Sequence, residues 1–177
     1  MPIPTWLDLL LILLVVSTAV TDLAIRKIPN LFLLLGWCAV LGLHLCDTTP
    51  ARAIGNAIGG AAVGFALFLP LYVVRGMAAG DVKLMATVGL FLGPAETAQA
   101  CVLTWCTGGL MALAMLLFTR RWGDTWANLR NLLCSQLLRL GPPTPGTALA
   151  RPSAGSMPYG LAIALTTLWL LAQRHLP

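Results

Sequence analysis

The 177 residues include six acids, Asp8, Asp22, Asp47, Asp81, Glu96 and Asp124, and two of these stand where an acid is costly. Asp22 closes a long apolar run in "STAVTDLAIRKIPN", and Asp81 opens another in "GMAAGDVKLMATVGLFLGP". Ionisable groups within apolar spans are expensive and usually functional. Each also has a plainer reading. Asp81 follows Gly80 at a helix start, where a carboxylate caps free N–H groups and suits the helix dipole. Asp22 falls in the last turn of a helix, where the dipole disfavours an anion, but Arg26 and Lys27 stand close enough in sequence to neutralise it.

Were the two to face each other in a low-dielectric pocket, they could not both ionise readily. One would keep a proton while the other stayed anionic. The anion can then take a proton from water as that water attacks a peptide carbonyl. The neutral acid donates to the carbonyl oxygen and afterwards helps the amine depart. Depth favours the meeting. From Leu92 back to Asp81 is about 16 Å of helix at 1.5 Å per residue, so a core of about 30 Å leaves Asp81 well inside the bilayer. The same measure from Trp6 puts Asp22 about 24 Å along its helix, slightly inside the same boundary.

The elements that carry these acids are helices in a bilayer. Composition is 58% hydrophobic and 10% charged, with a mean hydropathy of +0.85. Soluble domains carry roughly 25% charged residues. Six apolar segments are expected over about residues 6–25, 31–46, 54–74, 76–92, 95–119 and 157–172. The predicted fold is therefore an all-α membrane protein, a bundle of about six transmembrane helices in one integral-membrane domain over residues 1–177. The first run, "TWLDLLLILLVVSTAVTDLAI", has no basic flank before it and is too long for a signal-peptide core, so it reads as the first spanning helix. The third is rich in small residues, with Gly55, Gly59 and Gly60 spaced for close helix packing in lipid. Residues 120–156 read as a cytoplasmic loop. Its first part places Trp126, Leu129, Leu133 and Leu137 at helical spacing behind Asp124, which predicts an amphipathic interfacial helix, and a Pro/Gly-rich link follows.

Charge supplies an orientation. If the first helix runs inward, Arg26, Lys27, Arg75, Lys83, Arg120, Arg121, Arg130, Arg139 and Arg151 fall on the cytoplasmic side, and only Arg52 and Arg174 opposite. That bias puts both termini away from the cytoplasm. It also accounts for the net charge of +5 without nucleic acid, since no basic patch is interleaved with aromatics. The cysteines Cys38, Cys46, Cys101, Cys106 and Cys134 form no C-x-x-C pair, and His44 and His175 are far apart, so no metal site and no cofactor is expected. No Ser–His or Cys–His pair competes with the two carboxylates.

"TDLAIRKIPN" and "GMAAGDVKL", together with "MPYGLAIAL" at the last helix, resemble the signatures of type IV prepilin peptidases, membrane aspartic proteases of the G-x-G-D type. The resemblance is nearest to the short, tight-adherence (Flp-type) members and extends over nearly the whole chain. It implies that Asp22 and Asp81 are the catalytic pair, with Gly80 a tight-turn residue allowing close approach of backbone and substrate. Around them, Ile28, Pro29, Asn30, Ala78 and Lys83 fall on motif positions, with Pro29 accommodated in the first turn of helix two and Lys83 in reach of lipid headgroups or substrate. The implied substrate is a prepilin or pseudopilin with a short basic leader and an apolar helix, cut at the cytoplasmic face of a bacterial inner membrane. Ala78 departs from the pattern, which has glycine there. If the position needs a left-handed backbone or direct backbone contact with substrate, alanine costs about 1 kcal/mol or more. The paired C-x-x-C insert of the longer, N-methylating members is absent, so peptidase activity without methylation is implied. Two other readings stay open on the residues alone. One is a catalytically silent scaffold of a pilus or secretion system. The other is a small proton-coupled transporter, which would need more polar residues toward the outer face than Thr87 supplies.

Overall fold

The computed structural model describes residues 3–25, 28–74, 76–119 and 159–175. Among these are six helices: α1 (Ile3–Ile25), α2 (Asn30–Leu45), α3 (Pro50–Val73), α4 (Ala79–Leu92), α5 (Pro94–Thr119) and α6 (Tyr159–His175). The interfacial helix and the Pro/Gly link expected over 120–156 lie outside the described residues, as do Arg26, Lys27 and Arg75. The chain falls into two compact units, residues 1–108 with 158–177 and residues 109–157. Both carboxylates belong to the first unit.

Three helices contain spans long and apolar enough to cross a membrane, Thr5–Ile25, Pro50–Val73 and Pro94–Ala114. The other three are shorter, at 16, 14 and 17 residues for α2, α4 and α6. A 14-residue helix rises about 21 Å, short of a core of about 30 Å. Packing explains how α4 tolerates this. Its residues from Leu84 to Leu92 are all buried, and it packs against α1, α2, α3 and α6. Protein surrounds this helix, and its ends need not reach the headgroups.

Within the helices, hydroxyls that lipid cannot satisfy bond back to the chain. Thr18 Oγ1 donates to the Leu14 carbonyl (2.9 Å), Thr87 Oγ1 to the Lys83 carbonyl (2.9 Å) and Thr167 Oγ1 to the Ile163 carbonyl (2.7 Å). Side chains also tie helices together. Trp37 Nε1 donates to Thr87 Oγ1 (3.1 Å), joining α2 to α4, and the Thr104 and Thr166 hydroxyls share a bond of 2.8 Å between α5 and α6. Near the end of α6, Arg174 pairs with both Asp8 (3.1 Å) and Glu96, drawing α1, α5 and α6 together.

Among the described helices α3 and α4 approach with backbone against backbone, and of the three glycines expected to pack closely only Gly60 takes part. A Cβ on Gly60 would overlap the carbonyl oxygen of Gly89, and one on Gly89 the carbonyl oxygen of Gly60. One turn on, a Cβ on Gly64 would stand 2.6 Å from the Met85 carbonyl oxygen. Gly55 meets nothing within 4 Å, and Gly59 meets only a ring carbon of Pro94 at 3.2 Å. The buried stripe of α3 is Ala57, Gly60, Ala61, Gly64 and Phe68. The i, i+3, i+4 repeat selects one glycine of the expected three and adds Gly64. α4 ends at Leu92 and is capped by Gly93 with φ 79°, where a Cβ would also strike the Asn56 amide at 2.7 Å, and the chain turns directly into α5.

Candidate active site

α1 delivers Asp22 in its last turn, and α4 delivers Asp81 as its third residue. Asp22 is 7% exposed and Asp81 5%, and they are the buried carboxylates of the described chain. The two are close enough for the charge of one to act on the other, and the charge of Asp81 reaches Tyr159 at the head of α6. The end of α1 and the starts of α4 and α6 therefore come together around these acids.

Asp81 does cap its helix. Its Oδ2 accepts the Ala78 backbone N–H at 3.1 Å, the return half of a capping box, and its own N–H donates to the Ala78 carbonyl at 3.2 Å. This cap is buried, which an ordinary surface cap is not. Capping satisfies a helix end, and burial beside a second carboxylate gives the same group a low-dielectric setting in which proton transfer is possible.

Asp22 has a partner that chain order does not suggest. Its Oδ2 accepts the backbone N–H of Gly160 at 2.9 Å, across 138 residues of sequence. Gly160 lies in the first turn of α6, where N–H groups have no acceptor within their own helix. The positive end of that dipole offsets the unfavourable position of Asp22 at the C-terminal end of α1. "MPYG" in the sequence marks the motif but not the bond. A helix start does expose free N–H groups, yet nothing in the spacing says which acid receives one. The Arg26 and Lys27 pairing lies outside the described residues.

The remaining motif residues are arranged around this point. Ala78 is the N-cap of α4 at φ −80°, ψ 154°, ordinary extended backbone for alanine. The left-handed strain that would penalise a departure from glycine is absent there. Gly80 makes no tight turn, contrary to the expectation, because it is the second residue of a regular helix. Gly93 is the positive-φ glycine among the described residues. A Cβ on Gly80 would meet only the Ile28 side chain, at 3.6 Å, an ordinary contact. Pro29 is the N-cap of α2 (φ −64°, ψ 126°) and so stands one place before the helix. Its missing N–H costs nothing in either position. Lys83 is exposed and donates to Asn30 Oδ1 at 3.5 Å, so these two motif residues meet between α4 and α2.

From Asn30 and Lys83 a groove of about 710 Å³ continues along the bundle, walled by Leu31, Leu34, Trp37, Phe65 and Ala86. Its lining is apolar apart from Asn30, Lys83 and Thr87. Among the described residues, no three His, Cys, Asp or Glu side chains converge as metal ligands.

A model of the type IV leader peptidase family matches residues 9–113, more than half of the chain. The matched span includes both aspartates and the motif residues around them, and it ends before α6. Comparison with curated proteins and with solved structures gave no match.

Proposed function

This chain belongs to the type IV leader peptidase family, and from that premise we propose that it is a membrane aspartic endopeptidase that removes the short basic leader from a prepilin or pseudopilin. One observation carries the assignment of the pair. Asp22 and Asp81, 59 positions apart in sequence, are both buried at the ends of two different helices, near enough for the charge of one to act on the other, and this supports reading them as a pair. A structural cap needs no second acid near it, and burying two acids close together is expensive unless they work.

In this reading the two share one proton. The anionic member draws a proton from water as the water attacks the scissile carbonyl, and the protonated member donates to the carbonyl oxygen. Collapse of the tetrahedral intermediate returns a proton to the departing amine. Burial strengthens each charge interaction, and positioning the peptide against the pair supplies much of the rate.

The groove from Asn30 and Lys83 to Trp37 is our candidate seat for the apolar helix of the substrate. It is apolar, it opens beside motif residues, and Lys83 lies two residues beyond Asp81. The distribution of Lys and Arg supports a cytoplasmic site in a bacterial inner membrane, with both termini on the other side.

The test is to co-express the chain with a prepilin carrying a glycine-ended basic leader and to sequence the product N-terminus by mass spectrometry. We expect one cleavage, directly after that glycine, with the new amine unmethylated. Intact prepilin beside correctly inserted enzyme overturns the assignment.

A further inference from the structure

We propose that the first turn of α6, Tyr159–Gly160, is the positioning element for Asp22, so that the active site is built from three helix ends and not two. The inference rests on the reading of Asp22 as half of the catalytic pair. It concerns residues beyond 113, outside the span that the family model matches.

Gly160 is bound to Asp22 in two ways. Its N–H donates to Oδ2 at 2.9 Å. Its α-carbon also faces the carboxylate with no room to spare: a Cβ there would stand 2.7 Å from Oδ2, 3.0 Å from Cγ and 3.1 Å from Cβ of Asp22. All three contacts are to one side chain, so any larger residue must push the carboxylate or move α6. The need for glycine is spatial, since Gly160 is helical and has no positive φ. A backbone N–H can only donate, so Oδ2 is fixed as an acceptor, and the orientation of the carboxyl group follows from the placement of α6.

That placement is itself fixed by side chains. Tyr159 lies over Gly108 of α5, where a Cβ would come 2.9 Å from the ring atom Cε1 and 3.4 Å from Cδ1. Two turns along the same face, Thr166 shares its hydrogen bond with Thr104. These two attachments set the rotation and height of α6, and α6 packs along α1, which carries Asp22. The absence of a side chain at Gly108 thus lets the Tyr159 ring approach, and the absence of one at Gly160 lets the N–H reach its acceptor. Gly160 and Tyr159 act through Asp22 and are positioning residues.

The experiment is steady-state cleavage of a purified prepilin by purified full-length enzyme carrying Gly160→Ala, with Asp22→Asn beside it. A misplacement of the order of 1 Å costs about 100-fold in rate. We expect Gly160→Ala to lower kcat by between tenfold and several hundredfold, to leave KM within twofold, and to displace the acid limb of the pH–rate profile. A merely structural role would lower the amount of folded enzyme without moving that limb. Gly108→Ala, which pushes the Tyr159 ring and touches neither carboxylate, should lower kcat in the same sense by a smaller factor, and it carries the test if Gly160→Ala does not fold. A wild-type kcat and pH profile in both glycine variants, with Asp22→Asn inactive, overturns the positioning role and leaves the pair intact. Full activity in Asp22→Asn overturns the pair itself.

Discussion

The contact between Gly60 and Gly89 sets the position of α4, and through it the position of Asp81. Gly89→Ala adds one methyl group at this point. That carbon would overlap the Gly60 carbonyl oxygen and lie 2.6 Å from the Gly60 carbonyl carbon. Carbon atoms in contact stand about 3.5–4.0 Å apart, so α3 and α4 must part by about 1 Å. Overpacking of this kind costs about 1–3 kcal/mol, and neither partner can yield by a side-chain rotation because the atoms struck are backbone. Asp81 is eight residues away on the same rigid helix, about 12 Å by helical rise, so a shift or tilt of α4 is felt at the carboxylate. With about 100-fold in rate per ångström of misplacement, the expected loss in kcat is between about tenfold and 100-fold, at unchanged charge and chemistry. The assay is prepilin cleavage by purified enzyme, with thermal unfolding of the same samples. Gly55→Ala is the control, because a Cβ at Gly55 meets nothing within 4 Å. It should retain wild-type kcat and be no less stable than wild type, gaining up to about 1 kcal/mol because alanine suits a helix interior better than glycine. Wild-type cleavage by Gly89→Ala, or an equal loss in Gly55→Ala, would refute the account of how α4 is held.

Three further outcomes are expected. Ala78→Gly restores the glycine of the family pattern but not activity: the backbone at 78 suits alanine, so cleavage should not rise and stability should fall by about 0.4–1 kcal/mol through the greater freedom of the unfolded chain. Ala86→Leu narrows the groove and removes about 1 kcal/mol of substrate contact, raising KM roughly fivefold with kcat within twofold, as read from a substrate titration. Arg174→Gln breaks the pairs with Asp8 and Glu96 at the end of α6 remote from Gly160. Being partly exposed, those pairs should be worth less than about 1 kcal/mol in thermal unfolding, and cleavage should stay within twofold of wild type.

Much of this arrangement was legible in the chain. Hydropathy located the six helices, and the ends of α1 and α4 came out at Ile25 and Leu92 as expected. Asp22 and Asp81 stood out because an acid in an apolar run has few inexpensive explanations. What could not be read was partnership. Glycines in α3 announce close packing, but only the position of α4 selects Gly60 and Gly64 over Gly55. The concern over Ala78 came from a pattern, and its backbone half was answered by a dihedral angle, which no residue type states. The bond from Gly160 to Asp22 spans almost the entire chain and depends on a helix start reaching a side chain, so local spacing carries no trace of it. α4 was expected to begin at Gly76 and begins at Ala79, where Asp81 reaches back to Ala78 and closes the first turn.

The central claim is that Asp22 and Asp81 act as one catalytic pair. Its most direct measurement is single-turnover cleavage of a prepilin by enzyme carrying Asp22→Asn or Asp81→Asn, substitutions that keep shape and remove the carboxylate. General acid–base contributions of about 10²–10⁴ predict that each single variant loses at least 100-fold, and that the double variant is hardly slower than either, because the two groups act as a unit. A folded single variant that cleaves within a few-fold of wild type would contradict the account.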